Sequence, residues 1–169
     1  MRTRKLSAKT IAACGLLAAL ALIFSYLETL VPFFAALPGV KLGIANLAVL
    51  IVMYRYGLPC AFFVNLIRIL AAGLLFSGMF GFLYSLAGGL LSLFVMFALK
   101  KTGIFSPVGV SLAGGVCHNL GQLVVAALLV SNFKMFYYFP ILLFAGITSG
   151  LVIGIIGSLV LKRLNKILY

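Results

Sequence analysis

The sequence predicts an all-α integral membrane protein, a polytopic bundle of six transmembrane helices making one membrane domain over residues 1–169, with both termini cytoplasmic. Three observations predict it. Hydrophobic residues make up 65% of the chain and charged residues only 8%, where a soluble domain carries about 25% charged residues. Thirteen Lys and Arg face a single carboxylate side chain, Glu28. The bases stand in short clusters between long apolar runs rather than along one face, which is the pattern of a membrane protein and excludes nucleic acid as a partner.

A helix needs about 20 predominantly apolar residues to cross a hydrocarbon core. Six segments qualify: 11–30, 42–54, 58–76, 80–99, 108–130 and 137–161. The first follows a basic start but runs about twenty residues, beyond the roughly 7–15 of a signal peptide, and is read as a retained helix. The second has thirteen residues, so it is a short helix or begins in the loop around Pro38 and Gly39. With six spans, Arg2, Arg4, Lys5, Lys9, Arg55, Lys100, Lys101, Lys162, Arg163 and Lys166 all fall on one side. Lys41 and Lys134 fall on the other, and this bias makes the first side cytoplasmic. Arg68 lies within the third span.

Small residues let helices approach closely in lipid. Gly146, Gly150 and Gly154 form such a ridge on the sixth span, Ala8, Ala12, Gly15 and Ala19 a stripe on the first, and Gly109 and Ala113 a third on the fifth. Each stripe serves either packing inside the bundle or docking of a separate membrane subunit. The first helix is the better docking candidate because its stripe begins at the cytoplasmic edge. Cys14, Cys60 and Cys117 are an odd, intramembrane set and give no disulfide framework. Cys117 and His118 are adjacent, point about 100° apart on a helix and cannot form a metal pair. No metal site or cofactor is expected.

Polar side chains within a span are costly and mark a pathway or a site. They lie here between the bilayer centre and the outer surface. Glu28 is near the outer end of the first helix, Lys41 in the first outer loop and Asn46 early in the second helix. Asn65 and Arg68 share a face of the third, Tyr84 is in the outer part of the fourth with Ser85, and His118, Asn119 and Gln122 are on the fifth. A polar outer half over an apolar inner half describes a pocket open to the outside. Arg68 needs an anion, either Glu28 or one on a ligand. His118 serves a proton step or is a plain hydrogen-bonded residue. With Glu28 neutralising Arg68, Lys41 keeps the pocket positive and favours an anionic ligand.

Three motifs carry a resemblance. The runs Leu37-Pro-Gly-Val-Lys-Leu-Gly-Ile-Ala-Asn-Leu47, Phe82-Leu-Tyr-Ser-Leu-Ala-Gly-Gly-Leu-Leu-Ser92 and Val110-Ser-Leu-Ala-Gly-Gly-Val-Cys-His-Asn-Leu-Gly-Gln122 resemble bacterial membrane proteins labelled Gx transporter or heptaprenyl diphosphate synthase component I. That family is similar to the substrate-binding S components of energy-coupling-factor transporters. The resemblance implies a six-helix bundle in the bacterial cell membrane with an outward-facing pocket, part of whose lid is formed by residues 38–41. It implies that an Ala-x-x-x-Ala stripe, here Ala8 and Ala12, docks on a transmembrane coupling subunit served by separate ATPases. It also links the chain to quinone and isoprenoid metabolism and to flavin-based extracellular electron transfer.

The synthase label sits poorly with the composition. Prenyl chain elongation needs acidic side chains to hold magnesium against a diphosphate, and the chain has no Asp and one Glu. It also has no phosphate-binding Gly-x-x-x-x-Gly-Lys-Ser/Thr loop and no nucleophile paired with His118. The sequence therefore reads as a non-enzymatic substrate-binding membrane subunit that captures a small anionic or lipid-like molecule. The alternative is an accessory membrane subunit in quinone or isoprenoid metabolism or in electron transfer, without catalysis of its own.

Overall fold

The computed structural model describes residues 8–30 and 43–167, and these fold into six α-helices, with no strand among the described residues. In chain order they are α1 Ala8–Leu30, α2 Ala45–Tyr56, α3 Leu58–Ala72, α4 Gly78–Thr102, α5 Pro107–Leu129 and α6 Phe139–Ile167. A π-helical turn, Gly73–Ser77, joins α3 to α4, and a 3-10 segment, Phe133–Tyr138, leads into α6. Each helix overlaps one of the apolar segments expected from the sequence.

Among the described residues, four stretches are long and apolar enough to cross a membrane: Ala8–Leu30, Leu58–Thr102, Pro107–Leu129 and Phe133–Leu164. The second covers 45 residues but is not one straight rod. Gly78 has φ 65° and ψ −177°, a backbone region that essentially only glycine occupies, and there the chain turns back. Gly89 of α4 consequently lies against Asn65 and Ile69 of α3. Gly57, at φ 88° and ψ 179°, makes the equivalent break between α2 and α3, with Pro59 in the first turn that follows. The start of α5 is set by Ser106, whose hydroxyl accepts from the Gly109 N–H at 3.3 Å, followed by Pro107. A hydroxyl cap and a proline that lacks an N–H both suit a helix N-terminus.

The short second segment becomes a helix of 12 residues, which rises about 18 Å, less than the roughly 30 Å of a hydrocarbon core. It does not stand at the edge. Ala45, Asn46, Ala48, Val49, Leu50, Ile51, Val52 and Met53 are all buried, and α2 packs on α1, α3, α4 and α6. It is thus the middle of the bundle. The opposite pattern holds on the outer surface, where Leu16, Leu74 and Phe144 are exposed by 70% or more. An apolar exterior of this kind is what a lipid solvent requires and water does not tolerate in such extent.

The closest helix approaches rest on glycines. A Cβ on Gly150 would come 2.8 Å from Leu112 Cα, and one on Gly154 would come 2.8 Å from Val108 Cα. Gly146 likewise faces the Gly115 carbonyl and Val116 Cα, each 2.9 Å from where its Cβ would be. The ridge on α6 therefore beds against the α5 backbone and serves internal packing. The stripe on α1 is different: Ala8, Ala12, Gly15 and Ala19 are exposed, and a Cβ on Gly15 would meet nothing within 4 Å.

Candidate functional site

The buried polar side chains gather in two clusters on either side of α4. The first lies between α1 and α3. Ser25 and Glu28 are three residues apart on α1, as Asn65 and Arg68 are on α3, so each pair shares a helix face. Arg68 is 5% exposed. Its Nη2 donates to Asn65 Oδ1 at 2.7 Å and its Nη1 to Ser25 Oγ at 3.3 Å. The Glu28 carboxylate accepts from the backbone N–H of Ile44, just before α2. Glu28, the partner expected for Arg68 from the sequence, lies one helical turn beyond Ser25 on α1, and the guanidinium donates to Asn65 and Ser25. Ser25 escaped the sequence reading; its place one helical turn before Glu28 was the available signal.

The second cluster lies between α4 and α5. His118, Asn119 and Gln122 are buried on α5. A Cβ on Gly88 would come 2.6 Å from the His118 carbonyl oxygen and 2.9 Å from Gln122 Cγ, while one on Gly89 would lie 3.1 Å from Asn65 Nδ2. The adjacent pair Gly88-Gly89 therefore stands between the clusters, touching both, and its lack of side chains is what lets them approach. Asn119 Nδ2 donates to the Leu142 carbonyl at 2.9 Å and ties α5 to α6. A small cavity of about 10 Å³ lies beside these residues, lined by Asn46, Ser92, Ser111, His118, Asn119 and Ser149 among others. That is room for about one water molecule. Ser92, Ser111 and Ser149 were not singled out from the sequence. Ser92 lies seven residues beyond Ser85 and Ser111 seven before His118, spacings that keep a polar face over two helical turns.

Several buried polar atoms here have no hydrogen-bond partner: Asn65 Nδ2, Arg68 Nε, Ser92 Oγ and both amide atoms of Gln122. An unmet buried donor or acceptor costs about 1–3 kcal/mol, and buried groups in folded proteins are nearly always satisfied by protein or water.

The remaining candidates are placed as follows. Asn46 is buried in the first turn of α2. Tyr84 is half-buried and joins none of these hydrogen bonds. Lys41 lies outside the described residues, so its part in the site is not placed.

No curated protein and no solved structure matches the chain. The model of a family described as heptaprenyl diphosphate synthase component I matches residues 17–160, a stretch that contains every residue of both clusters, and the chain belongs to that family.

Proposed function

We propose that this protein is a membrane-embedded ligand-binding subunit that captures a small molecule between its helices for uptake. In this reading all six helices sit in the membrane as one domain, both termini are cytoplasmic, and the two polar clusters occupy the outer half. The observation that carries the reading is the set of orphaned polar atoms on Asn65, Arg68, Ser92 and Gln122. They sit in a predominantly apolar interior, where intramembrane polar groups are expensive and functional by default. The exposed small-residue face of α1 supports a second feature of the reading, docking of a separate transmembrane coupling subunit driven by ATPases.

The family match favours one further reading, an accessory component of a prenyl diphosphate synthase. The chain is then not the catalyst, since a single Glu and no Asp leave it without the carboxylates that hold magnesium on a diphosphate. A separate subunit supplies them.

Co-expression decides between the two. The chain is purified in detergent after expression with coupling and ATPase subunits, and in parallel with a soluble prenyl diphosphate synthase, and bound small molecules are identified by mass spectrometry. The uptake reading expects the coupling subunit to co-purify, to be lost with Ala12→Leu, and a small molecule to be present. Co-purification of the synthase alone, with Ala12→Leu without effect, moves the assignment to the accessory role.

A further inference from the structure

The ligand-binding reading leaves open what kind of ligand the bundle takes, and the α1–α3 cluster bears on this. Its two orphaned atoms, Arg68 Nε and Asn65 Nδ2, are both hydrogen-bond donors, on residues that are 5% and 0% exposed. Asn65 Oδ1 and Ser25 Oγ each receive an Arg68 Nη hydrogen. The start of α2 presents the Ile44 N–H to Glu28, and a helix N-terminus favours negative charge. Glu28 meets that demand by accepting from the Ile44 N–H, one helical turn beyond the Ser25 that Arg68 binds. A site whose unmet groups are donors, next to a helix start and a buried guanidinium, is built for an oxyanion.

We propose that Glu28 is a resident counter-anion holding the place of a ligand oxyanion, and that a carboxylate or phosphate on the ligand displaces it from the Ile44 N–H and pairs with Arg68. The incoming oxyanion takes over the Ile44 N–H and satisfies Arg68 Nε and Asn65 Nδ2, which the Glu28 side chain leaves unmet. The released Glu28 swings outward along α1, and the ligand body occupies the volume it leaves. This assigns Glu28 a gating role opposite to that of a receptor for a cationic ligand.

The test is chemical rescue. The full chain and its Glu28→Ala variant are purified in detergent, and thermal unfolding is followed by tyrosine fluorescence. Sodium acetate, sodium phosphate and tetramethylammonium chloride are compared with sodium chloride at equal ionic strength. Acetate or phosphate is expected to raise the unfolding temperature of Glu28→Ala by roughly 3 °C or more, as a ligand at concentrations well above its Kd does, and to shift the parent chain far less. The double variant Glu28→Ala/Arg68→Gln is expected to lose the response.

The same comparison in nanodiscs of phosphatidylglycerol or phosphatidylcholine separates the sources of the oxyanion. Stabilisation of Glu28→Ala by phosphatidylglycerol alone makes it a lipid head group, and stabilisation by acetate or phosphate alone makes it a soluble ligand. Should Glu28→Ala be recovered folded only from acetate-containing buffer, that supports the proposal, and failure to recover it with acetate overturns it. It is also overturned if acetate and phosphate move the variant no more than the parent, or if tetramethylammonium protects the parent and not the variant. A cationic molecule found bound to the purified chain would sink this proposal and leave the ligand-binding reading standing; a chain that carries and responds to no small molecule removes both.

Discussion

Lys100, near the end of α4, donates from Nζ to the Met53 carbonyl at 2.7 Å and stands 4.6 Å over the ring of Tyr54. One side chain thereby satisfies a carbonyl in the last turn of α2 and brings positive charge to the negative end of its dipole.

Lys100→Ala is therefore expected to lower stability by about 1–2 kcal/mol, since a charge-assisted hydrogen bond to a half-buried carbonyl is lost. Lys100→Arg, which keeps the charge and the donors, recovers part of it. Thermal unfolding in detergent reads both.

Glycines on α5 and on α1 are expected to respond oppositely to the same added methyl. In Gly115→Ala the methyl runs into the Gly146 carbonyl and lies 3.1 Å from Gly150 Cα, both backbone, so α5 and α6 must separate at a cost of about 1–3 kcal/mol. Gly15→Ala meets nothing within 4 Å and changes stability by no more than about 1 kcal/mol, in the favourable direction, through helix propensity. Unfolding temperatures of the two variants measured side by side check this.

Gln122→Leu separates stability from binding. Both amide atoms of Gln122 are buried and unpartnered, so a leucine of similar size removes an unmet polar group and leaves the empty bundle as stable or more so. The same change is expected to abolish capture of the ligand, a trade common at binding sites. Mass spectrometry of co-purified small molecules together with an unfolding curve gives both readouts.

Gly78→Ala addresses the turn between α3 and α4. At φ 65° and ψ −177° a side chain costs about 1–3 kcal/mol. Loss of stability with the α3–α4 contact weakened is the expected result, and a cysteine pair at Ile69 and Gly89, in contact across the two helices, would cross-link less readily in the variant.

The buried polar residues were legible because they stand out against an apolar background. Asn65 with Arg68, and His118 with Gln122, were on shared faces from their spacing alone. Their partners were not legible. Ser25 and Ser92 are unremarkable in a membrane helix, where serine also serves as a packing residue, and only the facing helix gives them a role. Gly88-Gly89 read as a motif, yet nothing in its spacing says that one glycine touches α5 and the other α3.

The sequence by itself determined the all-helical architecture, its apolar segments and the list of polar residues that a membrane interior would not carry without a purpose. These follow from hydropathy and helical period, which are properties of neighbouring residues. The tertiary structure alone decided that the Gly146, Gly150 and Gly154 ridge packs on α5 while the Ala8, Ala12, Gly15 and Ala19 stripe stays uncovered. It also decided that Arg68 shares its hydrogen bonds between Asn65 and Ser25 while Glu28 holds the start of α2. The physical reason is the same in each case. A helix period states which residues share a face, and only the packing of another helix against that face states what they meet.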